Sequence, residues 1–181
     1  MAIYNVFESV NMGSSHFAER IFDAVCDTDI ENGTFGYLDG LAEGESHVYN
    51  FKAGTKAGAF VVVADQPCWT EDTSRMVNQR RDKFVIEAGV KFRVRVIKKN
   101  DEFATALEGF TPATRENAAV GKYVSIDETT GKLVVADMVT EGAIMTGKIM
   151  RTRMMGGTIA TAAHNYGYAR KMYEVKVESL A

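Results

Sequence analysis

A chain of 181 residues, 46% hydrophobic and 25% charged, has the length and make-up of one globular domain or two small ones, and excludes disorder as the overall state. Its formal charge of −3, from 21 basic and 24 acidic side chains, calls for neither nucleic acid nor an anionic membrane as partner. Two cysteines, Cys26 and Cys68, exclude a disulfide framework and a Cys-x-x-Cys pair.

The N-terminus MAIYNVFESV lacks the basic start and apolar core of a signal peptide, so synthesis in the cytoplasm is expected. No run reaches the roughly 18 apolar residues of a membrane span. From Ser14 to Val25, Phe17, Ile21 and Val25 recur at fourfold spacing behind a capping serine, which predicts a short helix. The period then shifts toward two at Thr34–Leu38 and Val48–Phe51, both bounded by Gly, Asp and Glu turns. Phe60–Ala64 is continuously apolar and β-branched, as a strand buried on both faces would be, and Asp65-Gln66-Pro67 ends it.

Further along, Phe84, Val85 and Ile86 resume the apolar pattern. Lys91–Lys98 then alternates Phe92, Val94 and Val96 with Lys91, Arg93 and Arg95, the signature of a half-buried antiparallel strand. Gly121–Ile126 and Lys132–Ala136 read as a hairpin whose five-residue connection ends in Gly131, a residue that accepts the positive φ such a turn needs. Ala143–Met150 and Tyr173–Val177 read as closing strands around a Gly-rich stretch. Strands this short, with turns this frequent, predict a mainly β fold: a barrel or sandwich-like core with a short N-terminal helix and extended or irregular terminal segments. The expected division is an acidic N-terminal arm, helix and first strands over 1–58, and a β-rich core with a Gly-rich, basic C-terminal segment over 59–181, with a single domain over the whole chain as the alternative.

Charge is distributed unevenly. Residues 1–50 carry nine acids and one base, whereas residues 146–181 carry six bases and two acids. The two ends could lie together in the fold or draw neighbouring copies head to tail.

Candidate chemistry is thin. Gly142–Lys148 has the glycine and lysine spacing of a phosphate-binding loop, but Ile149 stands where the magnesium-binding Ser or Thr belongs. Asp27-x-Asp29-x-Glu31 opens like a calcium loop, yet its glycine is displaced to Gly33 and Leu38 replaces the bidentate Glu, which leaves an acidic surface loop. His16, His47 and His164 lack zinc-site spacing, and Cys68 has no identifiable His partner. No catalytic residue, cofactor or metal site is assigned, and a non-enzymatic protein is expected. By contrast Arg151, Arg153, Arg170 and Lys171 lie around Met154, Met155, Tyr166 and Tyr168. Such a mixture suits a protein interface, and also single-stranded nucleic acid.

Residues 60–150 resemble the capsid decoration, or cement, proteins of tailed-phage heads. The likeness rests on Asp65-Gln66-Pro67-Cys68-Trp69, on Asp82-Lys83-Phe84 leading to Glu87-Ala88-Gly89, and on the strand with Phe92-Arg93-Val94. It continues through the charged corner Lys98–Phe103 to Val120-Gly121-Lys122-Tyr123-Val124 with Gly131-Lys132-Leu133. The resemblance implies a β-rich module on the outside of a virion capsid, with the major capsid protein and neighbouring copies as partners and no cofactor, membrane or nucleic acid. On that reading the N-terminal arm, with Tyr4, Val6 and Phe7, adds a strand to a partner's edge, while Arg151, Arg153, Tyr166, Tyr168 and Arg170 supply a basic aromatic contact. The alternatives are a tail-tube or head–tail joining subunit, and a small β-barrel enzyme or binding module.

Overall fold

A computed structural model describes residues 3–15, 21–56, 61–64, 82, 84–155 and 170–181. The described strands are β1 (Phe7–Asn11), β2 (Ile21–Val25), β3 (Phe35–Leu41), β4 (Val48–Ala53), β5 (Val61–Val63) and β6 (Phe92–Val96), followed by β7 (Glu102–Ala106), β8 (Tyr123–Ile126), β9 (Leu133–Ala136), β10 (Met145–Met155) and β11 (Arg170–Leu180). They form two bodies: a closed barrel in the order β2-β4-β3-β5-β6, and a six-stranded sheet in the order β1-β7-β11-β10-β8-β9. The mainly β expectation is met by a barrel with a sheet beside it. The barrel draws strands from both sides of residue 58.

The three valines of β5 explain how barrel and sheet share a core. Val61 and Val63 point into the barrel with Ala24, Phe51, Phe92 and Val94, whereas Val62 points out and packs with Phe35, Phe103 and Ile149 beneath the sheet. A strand with apolar partners on both sides reads as an unbroken apolar run. In β6 only one side is dry, so Phe92 and Val94 are buried and Arg93 is exposed.

The helix expected over Ser14–Val25 is not shown among the described residues. A single 3-10 turn spans Gly13–Ser15, and Ile21–Val25 is strand, paired antiparallel with β6 and parallel with β4. The fourfold spacing of Ile21 and Val25 loses to a barrel wall that takes Ala24 and Phe22 inward and leaves Asp23 in water. Pairing on two edges outweighs a weak local pattern. Of the extended or irregular terminal segments expected, the described parts are extended: β1 and β11 are sheet strands, and β11 lies between β7 and β10.

The two bodies are joined at a seam. The Phe35 N–H donates to the Gly131 carbonyl at 2.9 Å, and the Gly54 N–H donates to the Phe35 carbonyl at 3.0 Å. Gly131, at φ 66°, closes the β8–β9 hairpin as its position predicts. Beside the seam Asn5 is buried and links three segments. Its N–H donates to Glu31 Oε2 at 2.8 Å and its Nδ2 to the Asn32 carbonyl at 2.8 Å, while its Oδ1 accepts from the Thr105 hydroxyl at 3.0 Å and the Ala106 N–H at 3.2 Å. A buried amide this fully bonded fixes the approach of the N-terminal segment to both bodies.

Candidate functional site

The β10–β11 hairpin dominates the sheet. Its pairing runs from Met145 opposite Leu180 to Met155 opposite Arg170, with Met150 bulged between Ile149 and Arg151. The bulge shifts the alternation so that Arg151 faces Glu174 on the sheet's outer side. Glu174 in turn lies opposite Ala104, and Ala104 opposite Glu8, giving a cross-strand row Arg151–Glu174–Ala104–Glu8. Arg153 spans that row. Its Nε donates to Glu174 at 2.7 Å and its Nη2 to Glu8, and Arg151 Nε also donates to Glu174. The short side chain of Ala104 leaves room for that reach. The bond to Glu8 is the main cause that raises the Arg153 guanidinium above arginine's ordinary value, against the opposing effect of its desolvation.

The hairpin outgrows its neighbour. β8 pairs with Gly147 and Lys148, and Lys122 and Gly121 complete the contact at Ile149. Past that point, from Met150 to Met155, the outer side of β10 pairs with no described residue. The edge strand β9, on the same side of the sheet, is treated differently: the Thr111 N–H caps the Leu133 carbonyl at 2.8 Å, and Thr114 Oγ1 accepts from the Val135 N–H at 3.1 Å. Past Ile149 the β10 edge has no such cap among the described residues, and Met150 and Met154 stand on it about half exposed.

No match to this chain was found among protein-family models, curated proteins or solved structures.

The residues singled out in the sequence fall into three groups. Arg151 and Arg153 come together on the hairpin, as described above. Val6 and Phe7 are corrected from free arm to core: Val6 packs with Ala104, Ala106 and Met172, and the Phe7 ring stacks on Phe103 at 5.4 Å. The Tyr4 N–H is held by the Asp82 carbonyl at 2.9 Å. Arg170 is likewise engaged within the chain, forking between Asp82 and Glu108 at 3.1 Å each. Tyr166 and Tyr168 lie outside the described residues, as do Cys68, His16 and His164. What sequence reasoning missed is the unpaired edge itself. The only trace of it is the alternation of Arg151 and Arg153 beyond the reach of the Gly121–Ile126 partner.

A second hollow opens where the barrel meets the β8–β9 turn. It encloses about 510 Å³ and is lined by Asp27, Asp29, Glu31, Tyr37, Lys52 and Lys132, among others. The carboxylates that read as a calcium loop do not converge there. Asp29 Oδ1 accepts the Ala88 N–H at 3.0 Å, and Glu31 is held by Lys132 at 3.2 Å and by the Asn5 N–H. Among the described residues no set of three or more His, Cys, Asp or Glu side chains could hold a metal ion. The phosphate-loop spacing dissolves as well, because Met145–Lys148 are strand and Ile149 is buried in the core.

Among the described residues the acidic first fifty residues and the basic stretch 146–181 form one ion pair with each other, Glu8 with Arg153. The other acids of the first fifty residues that form ion pairs do so with Lys56, Lys91, Arg93 and Lys132. The acidic excess thus stays with the barrel and the basic excess with the hairpin.

Proposed function

We propose that this chain is a non-enzymatic structural protein of a tailed-phage head, which binds the outside of the capsid lattice and stabilises it, with the major capsid protein as its partner. The observation that carries the reading is the β10–β11 hairpin, whose β10 strand runs on past the end of β8 and presents a basic, methionine-bearing edge that no described residue pairs. Supporting it is the landmark series in the sequence, from Asp82-Lys83-Phe84 to Gly131-Lys132-Leu133. A lattice adhesive needs only modest affinity at each site, because many identical sites act together. A strand edge already held in place by β11 provides such a contact with little ordering cost on binding.

Copy number in purified particles tests the proposal, measured by quantitative mass spectrometry against the most abundant shell subunit. Hundreds of copies in a simple ratio to that subunit are the expected result. A few tens would replace the head with the tail tube or head–tail joint, and absence from the particle would overturn the virion reading.

A further inference from the structure

We propose that the edge of β10 over Met150–Met155, which no described residue pairs, is a strand-addition site that takes an extended, acidic segment of the partner protein. An edge of this length presents unpaired N–H and C=O groups as a template for another strand, and most proteins blunt such edges. Here the outer edge of β9, on the same side of the sheet, is capped by Thr111 and Thr114, while the β10 edge carries no cap among the described residues.

The side chains on the edge select its occupant. Arg151 and Arg153 lie two residues apart on the outer face. Were a second copy of β10 to add antiparallel with outer faces aligned, the registers that pair more than three of these residues would each set arginine against arginine. Arg151 would meet Arg153 of the other copy, or Arg153 would meet its counterpart. Like charges directly opposite destabilise a strand pair, so the edge rejects itself.

A strand with carboxylates two residues apart meets the same positions with opposite charge. Donors remain to receive it: Arg151 uses only Nε on Glu174, and its side chain is 69% exposed. Arg153 uses Nε and Nη2, leaving Nη1. Met150 and Met154 supply soft apolar contact for the alternate side chains of the guest.

The inference rests on the shell-binding reading only for the origin of the acidic segment, and its test needs no particle. The probe is a fluorescent peptide, acetyl-Thr-Glu-Val-Glu-Thr-Val-amide, titrated against the full chain by anisotropy, with amide hydrogen exchange read over residues 150–155. Two further peptides carry backbone N-methyl groups at alternate residues, in opposite phase. Saturable binding is expected, with slowed exchange at Met150–Met155. One methylated phase should lose at least tenfold in affinity and the other should keep it, because only one side of the guest faces β10. Arg151→Glu, checked for an unchanged melting temperature, should weaken this peptide and favour its Lys-for-Glu counterpart. Equal binding by both methylated phases, unchanged exchange over residues 150–155, or no binding at millimolar peptide would each overturn the inference. None of these results bears on the copy number, so failure of the edge and failure of the virion reading are told apart.

Discussion

Asn5 lies against Gly109, its Nδ2 2.8 Å and its Oδ1 3.0 Å from where a Cβ on that glycine would stand. The same Cβ would run into the hydroxyl of Thr105, which donates to Asn5. The absence of a side chain at residue 109 is thus what lets the buried amide reach its partners. Gly109→Ala is expected to break the Thr105–Asn5 bond and to cost about 1–3 kcal/mol, from overpacking together with a polar group left unpaired. Thermal melting should fall by about 3–10 °C for a domain of this size. A melting temperature unchanged within a degree would mean that Asn5 is not the link between the N-terminal segment, the barrel and the sheet.

The seam between the two bodies makes a sharper comparison. Gly54 and Gly121 both have positive φ, 104° and 90°. A Cβ on Gly121 meets nothing within 4 Å, whereas one on Gly54 overlaps the carbonyl of Glu128 in the β8–β9 turn. Gly121→Ala should therefore cost only the backbone strain of the left-handed region, about 1–2 kcal/mol. Gly54→Ala must also push the turn off the barrel, and should exceed Gly121→Ala by at least about 1 kcal/mol in a urea titration. Equal midpoints for the two variants would show that the turn yields freely and that the seam contributes little.

Elements of the fold were legible where one physical cause acted alone. The Phe92–Val96 alternation reflects a strand with one dry side and one wet side, and Gly131 marks a turn that only a positive φ closes. Three elements were not legible, each for a different reason. Ile21–Val25 carried a helical spacing that the barrel overrode through pairing with β4 and β6, partners distant in sequence. β7 reads as a charged corner, because it follows Lys98–Asp101 directly and Ala104 and Ala106 are small and weakly strand-forming. Their size is explained only in three dimensions, by Arg153 passing over Ala104 and Asn5 bonding at Thr105 and Ala106. The N-terminal residues read as an arm because nothing local reveals that Phe7 stacks on Phe103 across ninety-odd residues of chain. At the candidate site, sequence brought Arg151 and Arg153 to notice through composition. The uncovered edge depends on where β8 stops, and so could not be read from either strand alone.

Arg151 and Arg153 both donate to Glu174, but they should differ in weight. Glu174 is 8% exposed and Arg151 69%, so Arg151→Gln leaves the carboxylate still held by Arg153 and is expected to change stability by less than about 0.5 kcal/mol. Arg153→Gln removes the link between Glu8 and Glu174 together and should cost about 1 kcal/mol, discounted for the partial exposure of the guanidinium. A double-mutant cycle of Arg153→Gln with Glu8→Gln isolates the bridge over Ala104. A coupling indistinguishable from zero would mean that the bridge contributes nothing beyond its two separate ends.

The β8–β9 turn also predicts how stability responds to acid. Asp127 accepts from the Thr130 hydroxyl and the Thr130 N–H, each at 2.7 Å, and from the Thr129 N–H at 3.2 Å. The Thr130 hydroxyl, then its N–H, holds the carboxyl below the ordinary aspartate value, more than offsetting the desolvation that works the other way. A carboxyl whose folded pKa lies below its unfolded value of about 3.9 favours folding in its ionised form. That contribution is complete above about pH 4–5 and disappears as pH falls through the depressed folded pKa. Asp127→Asn removes the ionisable group but keeps an oxygen that can accept, so it should be less stable than the parent at pH 7 and should approach it toward pH 2. Urea midpoints for both proteins across that range make the measurement. A gap of constant size would mean that the turn draws on the geometry of Asp127 and not on its charge, because only an ionised carboxylate gains from the Thr129 and Thr130 donors in a way that acid can erase.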